Sequence, residues 1–261
     1  MRFFRFETII IILTLIVSCK KGGNQGGENK TRDAGFLLDN ESMLNESYEG
    51  VDLGLSVKWG SSNIGAISLA DYGNYYAWGE LETKSKDDEK GYTSSSYSFL
   101  NGQLTKYCTN AEYGTVDGLR TLSLSDDISN VRLGELWRIP LDSEWRELMN
   151  PKNCSWTWTV LNGVKGYRVQ SNKEGFTDNW IFLPAGGEIE GDAALDPEES
   201  GSYWSSSLFV YCPLYAKCID FTQSAVYTCR AHRRIGKNIR PVYGEPDNRE
   251  SGIQIGNESF N

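Results

Sequence analysis

The chain has 261 residues, six cysteines, one histidine and a formal charge of −9 at pH 7. An acidic balance works against nucleic acid, whose phosphates are met by clustered Lys and Arg. A single imidazole without any Cys-x-x-Cys pair leaves a zinc site almost no ligands, so neither a metal nor another cofactor is expected.

The chain opens with Met1-Arg2-Phe3-Phe4-Arg5, and Ile9 to Val17 is apolar almost throughout before Ser18-Cys19. That is the order of a secretion signal, and the run falls short of the roughly 20 apolar residues a spanning helix needs. Ile16-Val17-Ser18-Cys19 resembles the lipobox of bacterial lipoproteins. The resemblance implies that residues 1–18 are cleaved and that the Cys19 sulfur takes a lipid. The mature protein would then be exported and membrane-anchored, at the outer membrane and facing the periplasm or the cell surface. Loss of Arg2, Arg5 and Glu7 with the leader moves the charge from −9 to −10. Residues 19–48 are rich in Gly, Asn, Glu, Lys and Ser, a composition that cannot offset the entropy of ordering, and read as a flexible tether.

Residues 49–244 hold all eight tryptophans and read as one domain. Val51, Leu53, Leu55, Val57 and Trp59 alternate with Asp52, Gly54, Ser56 and Lys58, as on a strand with one buried face. A weaker helix is predicted near 61–72. A better one follows Pro140, where Trp145, Leu148 and Met149 share a face and Asp142 or Ser143 can cap the start. Ser155-Trp156-Thr157-Trp158-Thr159 places both indoles on one side of a strand. Further strands are predicted at Trp180–Leu183, Tyr203–Phe209, Ala216–Phe221, Val226–Ala231 and Asn238–Tyr243, the last three as a hairpin ladder. Residues 245–261 form a polar tail interrupted only by Ile253, Ile255 and Phe260. Few helices, many short strands and 27 glycines give an α+β fold with long irregular loops.

Six blocks in this region, in order, resemble the Fibrobacter succinogenes major paralogous domain. They are Val51-Asp52-Leu53-Gly54-Leu55-Ser56-Val57-Lys58-Trp59, Tyr72-Gly73-Asn74-Tyr75-Tyr76-Ala77-Trp78-Gly79-Glu80, Trp137-Arg138-Ile139-Pro140 with Glu144-Trp145, Ile181-Phe182-Leu183-Pro184-Ala185-Gly186-Gly187, Gly201-Ser202-Tyr203-Trp204-Ser205-Ser206-Ser207, and Ile239-Arg240-Pro241-Val242. The resemblance implies a C-type lectin-like fold, distantly similar to sulfatase-modifying factors, with the first and last strands paired. Leu141 stands where the family has threonine, so a Thr-x-x-Glu capping box is lost and the helix is expected to start a residue or two later. Cys108 and Cys154 lie in stretches that resemble family sequence, and their pairing as a disulfide is an expectation of that resemblance.

Trp59, Trp78, Trp137, Trp145 and Trp204 sit in apolar or glycine-flanked patterns and are read as core. Arg230, Arg233, Arg234, Lys237 and Arg240 around His232 are read as a solvated strand edge. Enzyme chemistry finds little to use. The cysteine contexts around Cys212, Cys218 and Cys229 do not reproduce a sulfatase-modifying site, and His232 lies among arginines that disfavour its charged form. The carboxylates Glu188, Glu190, Asp192, Asp196, Glu198 and Glu199 are abundant without any spacing that selects two of them. Binding remains: Trp156 and Trp158 would make a stacking platform if their face is open, and Tyr75, Tyr76 and Tyr203 are further ligand-contact candidates. The expectation is therefore a non-enzymatic lipoprotein presenting a lectin-like domain to a glycan or protein. The alternatives are an enzyme of the sulfatase-modifying or carbohydrate-processing kind and a structural envelope component.

Overall fold

The computed structural model describes residues 48–84, 99–100, 103–134, 136–191 and 193–245. The leader, Cys19, almost all of the tether and residues 246–261 lie outside them. In chain order the strands before the helices are β1 (Gly50–Val51), β2 (Lys58–Gly60), β3 (Tyr75–Tyr76), β4 (Thr83–Lys84), β5 (Phe99–Leu100) and β6 (Gln103–Leu104). Helix α1 (Ile128–Leu133), β7 (Trp137–Arg138) and helix α2 (Asp142–Met149) follow. The rest is β8 (Cys154–Leu161), β9 (Val164–Ser171), β10 (Trp180–Pro184), β11 (Glu188–Glu190), β12 (Ala193–Leu195), β13 (Ser200–Leu208), β14 (Tyr215–Thr222), β15 (Ala225–His232) and β16 (Val242–Tyr243). Every ladder between these strands is antiparallel. Among the described residues, two short α-helices and one 3-10 turn (Leu124–Asp126) stand amid many short antiparallel strands, an α+β or mainly-β fold of small sheets.

Three sheets carry the body, ordered β1-β2-β16-β7, β10-β9-β8 and β13-β14-β15. The first and last strands share a sheet but do not pair with each other, because β2 lies between them. The alternation at 51–59 is likewise not one strand. Gly54 takes a φ of +69° and donates its N–H to Asp52 Oδ1 at 2.9 Å, so the chain turns between β1 and β2. A Cβ at Gly54 would also lie 2.6 Å from the Phe176 ring. Leu53, Val57 and Trp59 still bury their side chains, so the pattern recorded burial faithfully and continuity wrongly.

Strand β13 is buried from Gly201 to Leu208, and neighbouring residues on it face two different cores. Tyr203 joins Trp59, Trp145, Val169, Leu183 and Phe221 on one side. Trp204 joins Ile64, Trp78, Tyr107 and Ile139 on the other. All five tryptophans read as core are buried. Three of their indole N–H groups are satisfied, with Trp145 Nε1 donating to the Trp204 carbonyl, Trp204 Nε1 to that of Tyr76 and Trp78 Nε1 to that of Ser205, whereas the buried Trp59 Nε1 has no hydrogen-bond partner among the described residues.

Further expectations need correcting. Residues 61–72 contain no helix; they are turns, with the Asn74 and Ala66 N–H groups closing on the carbonyls of Ile64 and Asn63. Helix α2 is not delayed by Leu141, which is itself the N-cap. Glu144 still accepts from the Leu141 N–H at 2.8 Å, and Ser207 Oγ accepts from the Asp142 N–H at 3.1 Å, so a serine from β13 replaces a missing threonine hydroxyl. The C-terminal ladder has two strands rather than three, since β16 leaves β14–β15 to fill the first sheet.

The basic cluster is a solvated edge only in part: Arg230, on the edge strand β15, and Arg234 are exposed, whereas Arg233, Lys237 and Arg240 are fully buried. Arg240 donates to the carbonyls of Gly60 and Phe182 and to Asn63 Oδ1, so it ties three separate segments. Burial pulls its pKa down to about 10 against the favourable influence of Tyr203 and Tyr48. Arg233 lies over the Trp78 ring at 4.8 Å and donates to the Pro213 carbonyl at 3.1 Å.

Candidate functional site

Strands β8 and β9 pair in register, with Trp158 opposite Tyr167 and Trp156 opposite Val169, so both indoles do share a face. That face turns toward the core. Trp156 and Trp158 are each half-buried and meet Tyr167 edge-on at 5.5 and 5.2 Å, with Phe221 behind both. The two then diverge. Trp156 donates its indole N–H to the Leu148 carbonyl at 3.1 Å and closes against α2, whereas Trp158 borders open space.

That space is a cleft of about 790 Å³, within the usual range for small-ligand sites. Trp158 and Val160 form its apolar wall, Val160 being 59% exposed. Facing them are Asp196, Glu198 and Glu199 from the loop before β13, and Thr222, Gln223 and Ser224 from the β14–β15 turn. Both loops are fixed. Tyr167 Oη donates to the carbonyls of Thr222 and Gln223, while the Glu198 N–H reaches the Ala185 carbonyl and the Ser200 N–H that of Asp196. Asp196 and Glu198 take left-handed φ values of +51° and +68°, which turns the acidic loop tightly enough to gather its three carboxylates on the cleft. Lys165 lies 3.8 Å from Glu198 and is the one basic residue of the wall.

The other ligand-contact candidates are structural. Tyr76 and Tyr203 have no exposed surface. Tyr203 Oη donates to the Pro184 carbonyl and accepts from Asn63 Nδ2, and burial raises its pKa. Tyr75 is half-buried and donates its hydroxyl to the Gly186 carbonyl at 2.6 Å; burial first, and then neighbouring Tyr72, pushes its pKa up to about 12. Cys108 and Cys154 are both buried and free, so the expected bond between them is absent. The bonded pair is Cys218–Cys229, which sit directly opposite each other on β14 and β15. Cys212 is the third free thiol among the described residues. Cys19 lies outside them.

Reactive side chains also meet elsewhere among the described residues, two of the places lying on β14. The Cys218, Cys229 and Asp220 donor atoms lie within 4.8 Å of one another, but with the sulfurs bonded only one carboxylate remains as a strong metal donor. Lys237 Nζ meets Glu188 at 2.5 Å, Asp220 at 3.2 Å and the Ser202 hydroxyl. The Ser202 hydroxyl in turn donates to Asp220 Oδ1 at 2.6 Å, so the four groups close a polar network within the fold. His232 is held below its ordinary value by burial, then by Arg234 and Arg233.

No family model, curated protein or solved structure matches this chain. The cleft was half legible in the letters. Trp158 was singled out by its alternation with Thr157 and Thr159. The carboxylates Asp196, Glu198 and Glu199 were visible only as members of a longer acidic stretch, and fold contacts select them: Glu188 and Glu190 turn to Lys237 and Arg234. Thr222, Gln223 and Ser224 gave no signal, because a polar turn looks the same with or without a ligand.

Proposed function

We propose that the chain is an exported lipoprotein, anchored through Cys19, whose body is a non-enzymatic binding domain of the Fibrobacter succinogenes major paralogous type with a C-type lectin-like fold. Its ligand is a neutral or amine-bearing glycan, taken in the cleft beside Trp158. The observation that carries this reading is the pairing of one indole wall with three carboxylates and a hydroxyl-and-amide turn across a fixed opening. An indole face stacks on the C–H face of a sugar ring, and carboxylate, amide and hydroxyl groups accept from or donate to its hydroxyls. Three carboxylates against one lysine repel anionic ligands, so uronic acids, sulfated sugars and nucleic acids are poor occupants. The convergence of β1, β2 and β16 in one sheet supports the lectin-like reading, since it places both ends of the domain together and suits suspension from an amino-terminal lipid.

The test is a glycan array probed with the full chain in detergent micelles, followed by titration of the best binder. Trp158→Ala is expected to weaken binding at least tenfold and Glu198→Gln severalfold, whereas Trp156→Ala leaves it within about twofold. Binding that survives Trp158→Ala unchanged, or that favours acidic glycans, would refute the reading.

A further inference from the structure

Lys237 carries its ammonium into the body of the domain: the side chain is 1% exposed, and Nζ lies 5.5 Å from the centre of the Trp204 ring. A charge buried this far costs free energy that its partners must recover. Those partners are two carboxylates and a hydroxyl. Nζ meets Glu188 Oε2 at 2.5 Å and Asp220 Oδ1 at 3.2 Å, and it donates to the Ser202 hydroxyl. Three separate elements fix the groups. Lys237 exchanges both backbone hydrogen bonds with Tyr76, Glu188 opens β11, and Asp220 stands on the central strand β14 between Ser202 and Tyr227. An amine and a carboxyl held at contact distance, beside a second carboxylate and against an aromatic ring, are the reactants of an internal amide.

The two carboxylates are not equivalent. Glu188 makes the shorter contact with Nζ and is placed to take its proton. Asp220 Oδ1 accepts from Ser202 Oγ at 2.6 Å, so a hydroxyl already points at the oxygen that gathers negative charge when the Asp220 carbon is attacked. We propose that Lys237 and Asp220 join through an isopeptide bond, with Glu188 carrying the protons. Glu188 removes one proton from the ammonium and delivers it to the Asp220 carboxylate. The freed amine then bonds from Nζ to Cγ. A second proton passes from nitrogen through Glu188 to the departing hydroxyl, the C–O bond breaks, and one water is released. Ammonium and carboxylate become a neutral amide and water, so no further reactant is consumed. Fixed positions replace the encounter of free reactants, and removing a buried ion pair favours the product. Asp220 and Glu188 keep 28% and 25% of their side chains exposed, which gives the water a way out.

The test digests the full chain, reduced and alkylated, with trypsin and maps the peptides by mass spectrometry. The expected product is a branched peptide joining Cys218–Arg230 to Ile235–Arg240, uncut after Lys237 and lighter than its two parts by one water. Asp220→Ala is expected to abolish it. Glu188→Gln, which keeps a hydrogen-bonding group beside Nζ, is expected to leave the peptides separate, and a branched peptide in that variant would overturn the proton-carrying role. Two linear peptides from the wild type, or a branch that runs through Glu188, would overturn the bond itself. The wild-type map decides the matter even where a variant does not fold.

Discussion

Arg138 and Glu144 lie six residues apart in sequence and face each other fork to fork, with Nη1 on Oε2 at 2.8 Å and Nη2 on Oε1, both side chains almost wholly buried. The pair joins β7 to the first turn of α2. The same glutamate accepts from the Leu141 N–H, and the same arginine holds the carbonyls of Gly244 and Glu245. Removing one partner strands a buried charge. Arg138→Ala and Glu144→Ala are each expected to cost about 3–5 kcal/mol, and the double variant distinctly less than their sum. Urea midpoints for the four proteins of the cycle check this, and strict additivity would show that the two side chains act independently.

Asp127 sets a pH dependence. It caps α1, and burial pushes its pKa from 3.8 up to about 6 despite three backbone N–H donors and the nearby Arg138 charge. A carboxyl whose folded pKa lies above its unfolded one holds its proton more tightly when folded. Its contribution is therefore full below about pH 4, falls as the pH rises toward 6, and is gone above that, a change of about 3 kcal/mol. Asp126 next to it has the opposite sign: burial raises it, but hydrogen bonds from Lys106 and Tyr107 outweigh burial and hold it low. The informative measurement is the difference between wild type and Asp127→Asn from pH 4 to 7. The variant is expected to lose the downward slope, and parallel curves would contradict this.

The cysteines make a distinct prediction. Alkylation after unfolding without reductant is expected to label Cys108, Cys154 and Cys212 and to spare Cys218 and Cys229. The Cys218–Cys229 bond closes a short loop of separation 11 across one hairpin, so replacing both by alanine should cost about 2–3 kcal/mol. Equal labelling of all five thiols would remove the bond from the description.

Gly166 stands in β9 opposite Pro184 of β10, where a Cβ would lie 2.3 Å from the Leu183 carbonyl and 2.8 Å from the Phe182 ring. A backbone oxygen in a paired strand cannot step aside. Gly166→Ala is expected to cost at least about 1–3 kcal/mol by thermal unfolding. Gly191→Ala meets nothing within 4 Å and carries only the strain of a φ of +64°, so it should cost about 1–2 kcal/mol.

What could be read in the letters follows a physical divide. Alternation and tryptophan placement report burial, which is local, and they anticipated β8, β10, β13 and the five core indoles. Pairing and partner choice depend on residues far away. Arg240 reads as surface until Gly60 and Phe182 bring it carbonyls, and Cys218 finds Cys229 only once β14 and β15 align. The same divide splits the candidate site. Trp156 and Trp158 are equivalent in spacing, yet the Leu148 carbonyl claims one and leaves the other beside open space.

The placement of β16 between β2 and β7 bears on how the protein is made. Val242 pairs with Trp59 and with Arg138, and Arg240 just before it binds Gly60. The opening strands thus wait some 180 residues for their neighbour. A chain emerging from a ribosome cannot close this sheet until nearly all of the domain has been made. Partners so distant in sequence also slow folding. The sheet therefore closes late, after hairpins such as β8–β9 and β14–β15, whose partners are adjacent in sequence, can already have formed.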